Sequence, residues 1–365
     1  MRNVVILLLL FCLMTVVVSA QPGASVLTLK NSVEIALDRN FTVKQAQNNL
    51  ERDQAGVLSA YGNFLPSVNV SSTWGGSQGQ SFLPNGQALP STNNRSISSS
   101  VSAQMTLFDG FSNTSNLSSS VSTAISSEYT LSRTRQNVVN QTRRLYYDVL
   151  RTRRLLEVAE ANLQYNAQQL DRVRETARLG SASLVNVYQQ QSQVGQDELR
   201  MVQAQNEYEL AQANLIAFLG LDPLQTFQIQ DQTIPDEIDR GELEQMKELV
   251  RNAKSLVEQS YDRRPDYLSA RQQYEATDAG VTIARSGYLP TITASTSYSL
   301  RGNSTVVNEL GQRVSVNEFG ELQNNRSFSW GITFSLPVFS GFRTNEQSQR
   351  ALVARKNAEE NVKET

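Results

Sequence analysis

The run Ser327-Phe328-Ser329-Trp330-Gly331-Ile332-Thr333-Phe334-Ser335-Leu336-Pro337-Val338 decides the fold class. Every second residue is large and apolar, and small or hydroxylic residues fill the gaps as far as Ser335. Period-two patterning of this length means a strand with one apolar face. Three other segments repeat it. Val68, Val70 and Trp74 alternate with Ser67, Asn69, Ser71 and Thr73; Ile97, Val101, Ala103, Met105 and Leu107 alternate with serines, Gln104 and Thr106; Ile292, Ala294, Tyr298 and Leu300 alternate with Thr291, Thr293, Ser295, Ser297 and Ser299. Strands are therefore expected at about 66–74, 96–108, 290–300 and 327–339.

A soluble sandwich and a lipid-facing sheet share this alternation. Three features favour lipid. The polar face is hydroxylic rather than charged, as a barrel lumen often is. The segments are long enough to cross an outer membrane at a tilt. Both tryptophans of the chain lie in them, with Tyr298, as an interfacial aromatic girdle requires. The expected lipid-facing residues are Trp74, Val101, Tyr298, Phe328, Trp330, Ile332 and Phe334. Four strands cannot close a barrel, and open sheet edges are not tolerated in lipid, so copies of the chain must pool their strands.

The strands sit inside a duplication. Glu51, Ala55, Gly56, Val57, Ala60, Leu65 and Pro66 recur 224 residues later as Glu275, Ala279, Gly280, Val281, Ala284, Leu289 and Pro290. At an offset of 231, Asn93-Asn94-Arg95-Ser96 returns as Asn324-Asn325-Arg326-Ser327, and Phe108-Asp109-Gly110-Phe111 as Phe339-Ser340-Gly341-Phe342. Each copy reads helix, strand, loop, strand, helix. The seven extra residues fall in the second loop, where insertions are tolerated.

Between the strands the chain reads as helix. Pro66 and Pro290 close a helix and open a strand. Asp109 and Ser340 are expected N-caps. No proline or glycine interrupts residues 112–179, and Val138, Leu145, Val149, Leu156, Ala159, Leu163, Leu170 and Ala177 mark a coiled-coil seam. Such a helix is about 100 Å long at 1.5 Å per residue. Gly180 should stop it in the left-handed conformation. Ser181 or Ser183 then caps a returning helix to about residue 219. An N-terminal helix is expected over 29–62, and another begins at Pro265, a favoured first-turn residue.

Arg2, an apolar run over 4–18 and Val18-Ser19-Ala20 form a secretory signal peptide, residues 1–20. The run is shorter than the roughly 20 residues of a spanning helix. Cys12 is the single cysteine and there is no histidine, which removes His-based triads, thiol nucleophiles and the usual zinc sites. Charge is nearly balanced, 33 basic against 35 acidic residues, so no basic stripe invites nucleic acid. Carboxylates are scattered over helical faces without the clustered acid/base pair of an enzyme pocket. No catalytic residue, cofactor or metal is expected.

In these duplicated Leu-Pro junctions, the Phe-Asp-Gly-Phe and Phe-Ser-Gly-Phe strand exits, Arg264-Pro265-Asp266 and Arg178-Leu179-Gly180, the chain resembles the TolC-type outer-membrane efflux channels over nearly all its length. The resemblance implies a mainly α fold with a small β part: a homotrimer in which four transmembrane strands per subunit form one twelve-stranded β-barrel, continued by helices as a periplasmic α-barrel. It implies a passive duct in the outer membrane of a Gram-negative bacterium, docked through a periplasmic adaptor on an inner-membrane transporter. The docking tip maps to Leu179, Gly180, Ser181, Ala182, Ser183 and Leu184. Some relatives carry an aperture-closing aspartate where this chain has Asn186. The implied domains are a first repeat over 21–220 with a helical hairpin over 112–219, a mixed equatorial segment over 221–262, and a second repeat over 263–365. That second repeat holds only the start of a second long hairpin, so the sequence is expected to be a fragment. Loops 75–94 and 304–325 should face outward. The competing reading is a structural coiled-coil protein of the periplasm, such as an efflux adaptor, with its strands packed on a soluble core.

Overall fold

The computed structural model describes residues 25–79, 92–223, 227–229, 263–307 and 313–365, with positions 241, 244, 246–248 and 261 between them. The expected signal peptide, most of the 221–262 segment, and residues 80–91 and 308–312 of the two loops lie outside the described residues. The chain is mainly helical and divides into two compact units, residues 1–46 with 133–253 and residues 47–132 with 254–365.

The first unit opens with β1 (Ser25–Leu27), which pairs in parallel with β4 (Phe227–Ile229). Helix α1 (Leu29–Arg39) follows, capped by the Thr28 side chain, which accepts the Asn31 N–H. The continuous helix expected over 29–62 is instead two, α1 and α2 (Phe41–Gly62), with a break at Asn40. The cause is local. Asn40 adopts φ −58° and ψ 128°, its Oδ1 accepts the Thr42 N–H, and its Nδ2 donates to the Phe218 carbonyl. One buried side chain thus starts α2 and ties the break to the end of α4 (Leu184–Leu219). Gly220, at φ 67°, closes α4 so near to Arg39 that a Cβ would press on the Arg39 carbonyl at 3.3 Å.

Helix α3 (Ser112–Arg178) runs uninterrupted for 67 residues. Of its expected seam, Val138, Val149, Leu156 and Leu170 are buried and Leu145, Ala159, Leu163 and Ala177 half-buried. Tyr146 and Leu150 extend the core beside it, and the Tyr146 hydroxyl donates to the Leu27 carbonyl at 3.2 Å.

The second unit is built on one antiparallel sheet in the order β2-β3-β5-β8. The strands are β2 (Ser67–Gly79), β3 (Thr92–Phe108), β5 (Thr291–Asn303) and β8 (Arg326–Ser335). Strands β2 and β3 run beyond the alternating stretch because the backbone ladder continues through glycine and asparagine. Strand β8 ends at Ser335, short of the expected residue 339, before Pro337, which has no N–H to donate. Helix α5 (Pro265–Ser286) precedes β5 and α6 (Arg343–Glu364) follows β8; Ser119 and Ser126 of α3 hydrogen-bond to the Ala276 and Ser269 carbonyls of α5. A small hairpin, β6 (Thr305–Val307) with β7 (Arg313–Ser315), and a 3-10 turn over Gly320–Gln323 lie between β5 and β8.

Candidate membrane face and hairpin tip

The register sorts the sheet into two chemically distinct faces. Val70, Val101, Tyr298 and Phe328 stand opposite one another on a single rung, Ala103, Thr296 and Trp330 on the next, and Met105, Ala294 and Ile332 beyond it. Trp74 faces Ile97 on the same side, and Phe334 faces Ile292. All seven expected lipid-facing residues therefore share one face. They are exposed: Trp74 at 62% and Trp330 at 74%. Water makes this arrangement costly, at about 25 cal/mol for each Å² of apolar surface. At one end Ile97 is buried beneath the Glu318 backbone. Gly302 leaves no room there for a Cβ, and the buried Glu318 carboxylate pairs with Arg95 at 3.3 Å.

The opposite face is a lattice of hydroxyls. Ser71 bonds Ser100 at 2.9 Å, Ser297 bonds Ser329 at 3.0 Å, and Ser299 bonds Ser327 at 2.7 Å, each through side-chain oxygens. Among the described residues, Arg301 is the one charged side chain that the register of these strands places on this side. The face can line water without fixing an ion or a catalytic group.

Both sheet-to-helix exits use the same unusual backbone. Gly110 and Phe111 have φ of 68° and 69°; Gly341 and Phe342 have 62° and 63°. A phenylalanine at positive φ is strained, at a cost of order 1–3 kcal/mol. Each strained ring meets the phenylalanine three residues before it edge-on, with centroids 5.4 Å apart for Phe108–Phe111 and 5.6 Å for Phe339–Phe342. Asp109 and Ser340 are not the N-caps themselves, because Phe111 and Phe342 hold the positions just before the helices; from two residues earlier the Asp109 carboxylate accepts the Asn113 N–H at 2.8 Å, and Ser340 Oγ accepts the Thr344 N–H at 3.4 Å.

The hairpin tip is set by its glycine. Gly180 has φ 79°, its N–H donates to Ala177, and the Ser181 N–H reaches back to the Thr176 carbonyl at 2.9 Å. This paired closure satisfies the last carbonyls of α3. Ser183, not Ser181, caps α4 by accepting the Val185 N–H. Leu179, Ser181, Ser183 and Leu184 are exposed, Ala182 is half-buried, and Asn186 is exposed on the first turn of α4. Arg178 clasps Glu175 through Nε at 2.9 Å and holds that carboxyl below the usual glutamate range.

Farther from the tip lies a polar cluster that periodicity did not reveal. Asp197 of α4 is 3% exposed. It accepts Asn166 Nδ2 of α3 at 2.7 Å, Arg200 Nη1 at 3.0 Å and Gln193 Nε2 at 3.2 Å. Among the described residues there is no group of His, Cys, Asp and Glu able to hold a metal ion, and no helix long and apolar enough to cross a membrane.

Comparison with known proteins bears on both regions. A family model described as outer membrane efflux protein matches residues 33–221 and 256–365. The outer membrane protein TolC of Vibrio cholerae is 21% identical over 218 residues, 60% of this chain and 45% of that protein. The pyoverdine export outer membrane protein OpmQ of Pseudomonas aeruginosa is 26% identical over 208 residues, 57% of this chain and 38% of that protein. The chain thus spans under half the length of these curated relatives. Among solved structures, VceC of Vibrio cholerae shares the fold with a TM-score of 0.70 at 18% identity, covering 92% of this chain and 74% of that one. The CmeC outer membrane channel of Campylobacter jejuni gives 0.71 at 16% identity, covering 92% and 67%.

Proposed function

The chain belongs to the outer membrane efflux protein family, and we propose on that premise that it builds a passive outer-membrane export duct. Three subunits pool their sheets into one twelve-stranded barrel, with the apolar face against lipid and the hydroxyl face lining water. The helices extend the duct into the periplasm. The tip from Leu179 to Leu184 docks on a periplasmic adaptor, which joins the duct to an inner-membrane transporter of a tripartite efflux or type I secretion system. The transporter supplies the energy and selects the solute; the duct catalyses nothing. The two helix–strand–strand–helix segments are repeats of one unit, flanking the equatorial segment 221–262.

One observation carries this reading. A four-stranded antiparallel sheet presents Trp74, Tyr298, Phe328, Trp330 and Ile332 outward on one face, not inward on a core. That burial pattern suits hydrocarbon and disfavours the soluble adaptor. A strain lacking the chain should accumulate an effluxed dye and return to the parental level when the full chain is restored. Equal accumulation with and without it contradicts an export role.

A further inference from the structure

Strands β5 and β8 are neighbours, yet the chain between them first visits β3. The Ser304 N–H donates to the Arg95 carbonyl, Ser304 Oγ accepts the Arg95 N–H at 2.8 Å, and the Val316 N–H donates to the Ser304 carbonyl at 2.9 Å. Beyond β7 the chain reaches across β5. The Glu318 backbone fills the space above Gly302, and the Glu318 carboxylate pairs with Arg95 of β3. The 3-10 turn over Gly320–Gln323 then leads back to β8. The second repeat has the chain for this detour. Its seven extra residues, about 23 Å when extended, more than cover the two additional strand spacings, roughly 10 Å.

The side on which it crosses is the apolar one. Gly302 pairs with Ile97 and Ile97 with Trp74, and all three belong to the face that carries Tyr298 and Trp330. The level of the crossing follows from the ladder. Gly302 is ten residues beyond Ile292, which stands opposite Phe334 at the other end of the apolar face. That run is about 34 Å along the strand, or about 26 Å upright at a tilt of about 40°, close to the height of a lipid-facing band. Arg326 marks the same boundary independently. It stands on the apolar face opposite Leu300, one rung inward, where a charge on the lipid side costs least if the interface is near.

We infer that residues 317–323 form a strap lodged in the interfacial zone of the outer leaflet, on the lipid side of the sheet, with Phe319 as its membrane contact. The inference rests on the proposed lipid-facing sheet and adds a second, looped element to the surface that meets lipid. The chemistry of the strap suits that zone. Glu318 is 4% exposed and Arg95 closes its charge, so no lone carboxylate faces the hydrocarbon. Phe319, the next residue, is 54% exposed. An exposed apolar ring beside a polar turn lodges at the boundary between headgroups and acyl chains. Held there, the strap cannot fold across the mouth of the duct.

Nitroxide labels on the full chain in outer-membrane vesicles test the strap. Cys12, the single cysteine, lies in the expected signal peptide, so one introduced cysteine carries the label. Each label is read by its collisions with oxygen, which concentrates in lipid, and with a nickel chelate, which stays in water. Ile332→Cys supplies the lipid reference and Thr333→Cys, on the hydroxyl face, the water reference. The oxygen-to-nickel ratio at Phe319→Cys should lie severalfold above that at 333 and below that at 332. A ratio equal to that at 333, with 332 still high, overturns the strap and leaves the lipid-facing sheet standing. A ratio at 332 no higher than at 333 overturns both. Gly302→Val puts a side chain where the Glu318 backbone lies. It should lower the ratio at 319 to that at 333 without moving the ratio at 332; an unaltered ratio at 319 overturns the seating of the strap on the sheet.

Discussion

The sheet and the helical hairpin follow opposite burial rules. In the hairpin Tyr146, Val149 and Leu215 are fully buried, and charged residues other than the buried Asp197 lie mostly toward solvent. In the sheet the largest apolar side chains face out, and hydroxyls pair with one another across the strands. Hydrophobic periodicity finds an apolar face in each region, but it does not name the solvent that face meets. The chemistry of the opposite face does. Arginine and glutamate opposite an apolar seam suit bulk water; serine and threonine opposite an apolar band suit the proposed duct, a wet lumen with lipid outside.

The largest expected effect breaks this contrast on the sheet. Ile332→Arg should cost about 2–4 kcal/mol if the residue sits near mid-membrane, and outer-membrane fractionation should show assembly lost. Thr333→Arg, one residue on and on the hydroxyl face, should assemble normally. Equal behaviour of the two variants would erase the distinction between the faces.

The hairpin offers the converse test. Asp197→Ala leaves Asn166 and Gln193 with a buried partner missing, a loss of about 2 kcal/mol. Hydrogen exchange should quicken in α3 and α4 around these residues while barrel insertion is unchanged. Gly180→Val forces a β-branched residue into the left-handed region at about 1–2 kcal/mol, confined to the tip. Cross-linking to the adaptor should fall with the trimer intact; unaltered cross-linking would remove the tip from the docking site.

A smaller effect is electrostatic. Arg52, with help from the Ser127 hydroxyl, holds the Asp53 carboxyl below the usual aspartate range. A depressed folded-state pKa means this stabilisation is complete above the ordinary aspartate range and is lost as pH falls through the folded value. Asp53→Asn should remove that acid-side slope from thermal unfolding curves. Stability near neutrality should change little, because solvent screens an ion pair whose arginine stands in water. An unchanged slope would mean the pairing contributes nothing.

Strand faces, the Leu-Pro junctions, the Gly180 stop and a serine cap at 181 or 183 were legible because each rests on a local rule of spacing or residue type; the structure chose Ser183. The break at Asn40 was not, since no proline or glycine marks it and its cause is a bond to Phe218, 178 residues away. Asp197 escaped notice for a similar reason. It stands among glutamines on a polar-looking stretch, and only the fold brings Asn166 against it. The three-residue pairing of β1 with β4 is too short for any periodicity to show.

The central claim is that the apolar face of the sheet meets lipid, and the chain carries its own probes for it. Trp74 and Trp330, its two tryptophans, both stand on that face. Their fluorescence should be quenched strongly by brominated lipid tails in reconstituted vesicles and weakly by aqueous iodide. Strong iodide quenching with no effect of bromolipid would place the face in water and contradict the duct.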